Sequence, residues 1–597
     1  MIFSQEADMS DLKQMMVYIL FSIICFSFIF PINMAADTPE QESRQIIESL
    51  DKQIPELMKA ALIPGLQIAL IREGSVIWEK GYGVVNVETG IPVTKDTVFE
   101  AASLTKPFFA FLAMKLVEEG KINLDTPLVK YVPRKLIEER MGHSMDEKGF
   151  RKDWLKIITP RMVLSHSSGL PHGEGGKVFP ILFKPGSKWK YSATGYGFLQ
   201  IGVEVILKEK LGSLMKKRYL DPLGMKNSSM VWKDEYEKAM ASGHDYFGKA
   251  QAFRKRARAT AAASLYTTAG DYAKFVCAVM AGKGLKKETQ KAMLTRQIVM
   301  EDGEGLGWGL GFGTQKDKEK GTGIWQWGDY GIFRNYILAF PEKGIGVVFL
   351  TNTAFGLSIA DEITRTAVNA AAGGALALEY DRYNSPFMKF GRKVLFGKTA
   401  DVGTLYLNMK KKHGDGFPDK RVAALAGMLG GSGMGKEAIE IFQLLLPGDP
   451  DPPEMRLRLA EACLGAGDLE KAASEYKESL KQLKKDDKRL AKVTWYMEFI
   501  QTLRSPFKSD PALLKKYAGK YGPRHVIFKE GKLYYRREGS DVKEMREMIP
   551  MSRDTFVMRE IPYFRLKFEM DAAGNPVKVT GLYDSGRVDS NPRTKKK

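Results

Sequence analysis

Residues 100–128 read EAASLTKPFFAFLAMKLVEEGKINLDTPL, and the fold of the first half of the chain turns on this stretch. Strand-like Thr97, Val98 and Phe99 precede it, the small pair Ala101 and Ala102 follows, and a helical run extends from Ser103 to Glu119. Pro107 falls in the first turn, where a missing N–H is tolerated. A serine at such a junction sits on the positive end of the helix dipole, which favours a developing alkoxide. Lys106 comes one turn later on the same face. A lysine buried against apolar walls loses proton affinity and is then able to take a serine proton near neutral pH. Taken alone, Ser103 is as readable as a helix N-cap, and SxxK recurs at Ser49 and Lys52, Ser187 and Lys190, Ser474 and Lys477, and Ser505 and Lys508. The surroundings decide between the two roles.

Working outward, 66–71 and 76–79 form a hairpin pattern around Arg72, Glu73, Gly74 and Ser75. A second hairpin pattern, 336–340 with 345–351, flanks a Pro341, Glu342, Lys343, Gly344 turn. Helical segments fill the space between, so 46–371 reads as an α+β domain. Tyr191 lies in a loop ahead of a helix starting near Gly195, where an aromatic residue is ordinarily part of a core.

Further segments fall in order along this domain: 158–171 (ITPRMVLSHSSGLP), 185–199 (PGSKWKYSATGYGFL), 221–225 (DPLGM), 264–271 (SLYTTAGD) and 325–352 (WQWGDYGIFRNYILAFPEKGIGVVFLTN). Together with 100–128 they resemble the serine β-lactamase-related and penicillin-binding-protein superfamily, in its class C β-lactamase and D-aminopeptidase branch. The resemblance implies an antiparallel sheet flanked by helices and an acyl-enzyme formed at Ser103. It makes Lys106 the activating partner, Tyr191 the proton shuttle, and the backbone N–H groups of Ser103 and Asp329 the oxyanion hole. Gln326, Trp327 and Gly328 become the substrate-binding strand edge, the glycine letting backbone approach substrate closely.

Two positions depart from the family pattern. Ala193 replaces an asparagine, and Gln326 replaces a lysine or histidine; both normally grip amide or carboxylate groups of the substrate. Losing such partners weakens selection for β-lactams and D-amino-acid peptides. The expectation is a serine hydrolase acting on a small-molecule ester, amide or peptide, with no cofactor and no metal. The alternative is a catalytically weak penicillin-binding-like protein that binds envelope components or partner proteins. The altered motifs motivate that reading; intact Ser103, Lys106 and Tyr191 argue against it.

Beyond a linker at 372–419 the pattern changes. EAIEIF at 437–442 recurs as KAASEY at 471–476, an offset that also maps Leu425 onto Leu459, Gly433 onto Gly467, Ala438 onto Ala472 and Phe442 onto Tyr476. This resembles tetratricopeptide repeats over 420–503, with 490–503 as a cap and a protein partner implied. In 508–592 Phe564, Leu566, Phe568 and Met570 alternate with Arg565, Lys567 and Glu569, and 526–535 turns at Glu530 and Gly531. A small all-β domain is expected there.

The net charge of +20 is spread along the chain, apart from a short tail at 593–597, so no nucleic-acid partner follows from it. Cys25, Cys277 and Cys463 give no disulfide framework, and the six histidines no metal spacing. Residues 15–31 are uncharged and apolar, and 1–36 reads as a signal peptide or a membrane anchor, its apolar run just short of the ~20 residues of a bilayer span. An exported protein, periplasmic or extracellular, is the expectation.

Overall fold

The computed structural model describes residues 38–141, 151–173, 181–300, 305–397, 401–538 and 545–594, so the leader expected at 1–36 lies outside the described residues. Among the described residues no helix is long and apolar enough to cross a membrane. The chain forms two compact units that part between Arg382 and Tyr383.

In the first unit, helix α1 (Pro39–Ala61) starts on a capping box between Thr38 and Gln41, with Pro39 at its first position. Strands β1 (Gly65–Arg72) and β2 (Ser75–Gly83) form the expected hairpin. Helix α2 (Thr105–Glu118) is buried from Thr105 to Met114, as expected of a helix that is apolar all round. Helices α3 (Ala193–Leu207) and α4 (Ala269–Met280) follow, each opened by a side-chain cap, Ser192 and Thr268. Strands β3 (Ile298–Val299), β4 (Leu306–Trp308), β5 (Gly313–Asp317), β6 (Gly321–Asp329), β7 (Arg334–Phe340) and β8 (Ile345–Thr351) complete a sheet of order β2-β1-β8-β7-β6-β5-β4-β3. Every pairing is antiparallel, and β1 meets β8 in the register Leu66 to Thr351. Helix α4 packs on β1, while α5 (Ala360–Val368) packs on β8 and α1, so helices flank the sheet.

The stretch 372–419, expected as a linker, is mostly helical. Helix α6 (Gly373–Ala377) packs on β6 and belongs to the first unit; α7 (Pro386–Phe396) and α8 (Val402–His413) open the second. Lysines and glycines in this stretch mask its apolar stripes: Phe390, Val394, Val402 and Tyr406 are all buried, and the Phe390 and Phe417 rings meet edge-on at 5.2 Å.

Helices α9 (Asp419–Gly430), α10 (Gly435–Leu445), α11 (Pro452–Gly465) and α12 (Leu469–Gln482) form two hairpins in the register read from the sequence. Leu425 and Leu459, Ala438 and Ala472, and Phe442 and Tyr476 are buried in matching places. Gly433 and Gly467 have φ of 83° and 82°, the left-handed turn that lets each second helix fold back. Helix α13 (Leu490–Arg504) caps the array, stacking Tyr496 on Tyr476 at 5.7 Å.

Eight further strands, β9 (Gly519–Tyr521), β10 (Arg524–Lys529), β11 (Lys532–Arg537), β12 (Arg546–Pro550), β13 (Thr555–Val557), β14 (Phe564–Met570), β15 (Pro576–Tyr583) and β16 (Val588–Pro592), pair strictly in sequence order. A bridge from Tyr521 to Arg593 brings the two ends together into a near-barrel. Phe564, Leu566 and Phe568 face its core as expected. Arg565 does not face water: α13 covers it, with Trp495 3.7 Å from its guanidinium and Glu498 paired at 2.8 Å.

Candidate active site

Ser103 lies in a 3₁₀ turn (Ala102–Leu104) that leads into α2. The turn is held from several sides. Ala101 N–H donates to Leu265 O at 2.9 Å, Thr105 Oγ1 donates to Ala102 O at 2.6 Å, and Tyr272 donates to Leu104 O at 2.8 Å. Ala102 is forced to φ 48°, a left-handed conformation that costs a side-chain-bearing residue about 1–3 kcal/mol. A strained residue immediately before a buried serine is the kind of outlier that accompanies function rather than packing.

Lys106 projects from the first turn of α2, wholly buried. Its Nζ donates to Ser103 Oγ at 3.1 Å and to the Ala262 carbonyl at 2.9 Å. The ammonium also lies 4.7 Å from the Tyr191 ring centre and 5.7 Å from that of Tyr196. Burial lowers its pKa to about 7. Near neutral pH a large fraction of the molecules therefore carries a lysine able to accept a proton.

The Ser192 cap, which accepts from Gly195 N–H at 3.0 Å, places Tyr191 just ahead of α3. Enclosure pushes the phenol pKa up, against the opposing influence of the nearby polar groups of Ser103 and Gln326. The phenol thus stays protonated, with Gln326 Nε2 3.2 Å from its oxygen. Its ring lies in an aromatic box: 4.2 Å from His166, 4.4 Å from Trp327 and 6.0 Å from Trp308 between ring centres. His166 is buried and accepts the Ser192 N–H on Nδ1 at 3.1 Å. Burial first, and the Lys106 charge second, lower its pKa, so a neutral ring backs the tyrosine.

Strand β6 forms the opposite wall. Gln326 is buried, and its Nε2 lies 3.2 Å from the Tyr191 hydroxyl, 3.3 Å from Ser103 O and 3.0 Å from Trp327 O. A Cβ on Gly328 would lie 2.3 Å from the Ala101 carbonyl oxygen, so only glycine lets the strand press against the serine turn. Asp329, at the end of the strand, sends its side chain to Gly331 N–H at 2.6 Å and the Tyr380 hydroxyl at 2.6 Å. Ala193 stands in the first turn of α3 and donates its N–H to His172 Nδ1 at 3.2 Å.

The structure thus brings Ser103, Lys106, Tyr191 and Gln326 into one hydrogen-bonded group, with Trp327 and Gly328 beside it. Sequence reading missed His166, Trp308, the Ala262 carbonyl and Tyr380. His166 lay within a quoted segment, but nothing local marked it as the backing of a tyrosine 25 positions on. Among the described residues no cluster of three or more His, Cys, Asp or Glu side chains is placed to hold a metal.

The Beta-lactamase family profile matches residues 50–372, and a tetratricopeptide repeat profile matches 431–494. Esterase EstB of Burkholderia gladioli is 24% identical over 375 residues, covering 53% of this chain and 92% of that protein. Protein flp of Staphylococcus aureus (strain N315) is 25% identical over 219 residues, 34% of this chain and 42% of the relative's length. The crystal structure of D-alanine carboxypeptidase AmpC from Burkholderia cenocepacia aligns with TM-score 0.47 and 22% identity, over 55% of this chain and 99% of that one. With the profile spanning more than half of the residues, the chain belongs to the Beta-lactamase family.

Proposed function

We propose that this chain is a serine hydrolase that cleaves short esters through an acyl-enzyme at Ser103, with amides as slower substrates. The observation that carries the reading is the 3.1 Å contact between Lys106 Nζ and Ser103 Oγ, made by a lysine whose burial lowers its pKa to about 7. Ser103 Oγ attacks the acyl carbon while its proton passes to neutral Lys106. The backbone N–H groups of Ser103 and Asp329 take the developing oxyanion, a contribution of about 2.7–4 kcal/mol per donor in acyl transfer. Collapse breaks the bond to the leaving alcohol or amine, which receives the proton back from Lys106 through Tyr191. Water then attacks the acyl group and its proton returns along the same relay, freeing the acid and Ser103.

Ester preference rests on Ala193 and Gln326, which leave a methyl group and a neutral amide where a β-lactam's amide and carboxylate would be gripped. The esterase name of the Burkholderia gladioli relative supports the same substrate class. The apolar leader at 15–31 supports export, and the helical repeats support a protein partner. The test is labelling with a fluorophosphonate followed by peptide mapping, alongside p-nitrophenyl ester turnover. A single adduct on Ser103 and loss of turnover in Ser103→Ala are expected. An adduct on another serine, or a fully active Ser103→Ala, would overturn the reading.

A further inference from the structure

The Beta-lactamase profile ends at residue 372, yet the chain of the first unit continues to Arg382 and returns to the candidate active site. Ala371 accepts from Gln315 Nε2 at 3.0 Å, and Ala372 N–H donates to Asp361 Oδ1 at 3.2 Å. Helix α6 then lies so close to β6 that a Cβ on Gly374 would stand 2.2 Å from the Trp325 ring. Arg382 closes the segment by pairing with Glu362 at 2.5 Å. These contacts fix the position of what lies between, which is Tyr380.

The Tyr380 hydroxyl donates to Asp329 Oδ2 at 2.6 Å. The Trp327 side chain also acts on this phenol, partly offsetting the rise in pKa that burial gives it. Asp329 directly follows Gly328, the glycine that presses β6 on the serine turn. Arg334 completes the arrangement. Its guanidinium pairs with Asp329 at 3.1 Å, lies 5.2 Å from the Tyr380 ring and 5.4 Å from the Tyr246 ring, and donates to the Tyr246 hydroxyl at 2.6 Å. Asp329 is thereby tied at both carboxylate oxygens, two positions from the Trp327 ring that meets Tyr191 at 4.4 Å.

We propose that Tyr380 is a positioning residue for ester hydrolysis, clasping the Asp329 carboxylate so that the Asp329 N–H points steadily at the oxyanion. This rests on the assignment of Asp329 as an oxyanion donor given above. A donor that is preorganised stabilises the transition state without reorganisation, whereas a donor that swings must be oriented during each turnover. The clasp lies outside the family profile, so the hydrolytic unit of this chain extends to Arg382.

The experiment compares the full chain with full-length Tyr380→Phe, Asp329→Asn and their double variant, using p-nitrophenyl butyrate and an alkyl boronic acid as tetrahedral mimic. Tyr380→Phe is expected to lower kcat about tenfold, a fraction of the ~10²–10³ lost when an oxyanion donor is removed, with KM within about twofold. Affinity for the boronic acid should fall by the same factor as kcat/KM, and the double variant should lose no more than the worse single one. Tyr383→Phe, three positions on, should match the parent chain. Unchanged kcat in Tyr380→Phe, additive losses in the double variant, or a loss of kcat with undiminished boronic acid affinity would overturn the proposal. Ser103 labelling separates the two readings: a labelled Ser103 and an inactive Ser103→Ala beside a fully active Tyr380→Phe would defeat the clasp alone, and an active Ser103→Ala would defeat the assignment beneath it.

Discussion

Gln326 Nε2 stands 3.2 Å from the Tyr191 hydroxyl and 3.3 Å from the carbonyl oxygen of Ser103, so one neutral amide ties the tyrosine to the turn that carries the serine. Its own Oε1 is buried without a hydrogen-bond partner. A cation in its place would face the same phenol and offer a charge to a substrate carboxylate. Gln326→Lys combined with Ala193→Asn is expected to raise the ratio of cephalosporin to ester kcat/KM at least about tenfold, the scale of one recovered polar contact. Chromogenic cephalosporin and p-nitrophenyl ester assays run side by side check it; an unchanged ratio would place the selectivity elsewhere.

In the proposed mechanism Lys106 sets the pH dependence. Only its neutral form accepts the Ser103 proton, so kcat/KM for a neutral ester should rise with pH through about 7 and level off above it. A profile with no inflection between about pH 6 and 8 would contradict this.

The same burial has a stability consequence whose sign is fixed. Between about 7 and the ordinary lysine pKa of 10.5 the unfolded chain binds a proton that the folded chain does not, so stability rises with pH across that window. Below it the folded state carries the full penalty of a buried charge. Lys106→Met, of similar length and without charge, should therefore be inactive yet melt at a higher temperature than the parent chain at pH 7, with the gap closing towards pH 10. Thermal melts at several pH values test this; a destabilised variant at pH 7 would show that the lysine's hydrogen bonds outweigh its desolvation.

At Gly328 the expected outcome is steric. Adding one methyl group 2.3 Å from Ala101 O must move either β6 or the serine turn. Gly328→Ala should reduce kcat by about 10² or more while leaving the far-ultraviolet circular dichroism of the chain intact, since a shift of 1 Å is enough to cost that much. Activity within about threefold of the parent would mean that the two backbones need not touch.

In the second unit, Arg524 is buried inside the β-domain and pairs with Asp589 and Asn591. Removing one member of a buried pair leaves its partner's polar atoms unmatched, a loss of about 3–5 kcal/mol. Arg524→Met should lower the urea midpoint of the second unit without changing ester kcat. A parallel fall in activity would show that the two units do not act independently.

Much of this was legible in the sequence where the signal was local or periodic. The Glu73 and Gly74 turn, the Tyr336 and Val347 strands and the 34-residue spacing of Gly433 and Gly467 are patterns within a few turns of chain, and the structure keeps them. Ser103 and Lys106 needed the ordered company of the other motifs, because a serine and a lysine one turn apart are common. His166 and Tyr380 were illegible for a different reason. Their roles depend on Tyr191 and Asp329, partners far along the chain, and an isolated histidine or tyrosine looks the same whether it meets such a partner or a core leucine. Arg565 failed similarly: alternation placed it on the solvent side of its strand, and nothing in that strand announces that α13 will cover it.

The pairing of Leu66 with Thr351 also governs when this chain is able to fold as it is made. Strand β1 is apolar and lies inside the sheet, second from its edge, yet one of its two neighbours is β8, the last strand of that sheet to be synthesised. At about 5–20 residues per second the wait is on the order of tens of seconds. Throughout that interval Leu66, Ile68 and Leu70 have an unfilled edge beside them. The half-made sheet is the point at which overproduction should first yield aggregates.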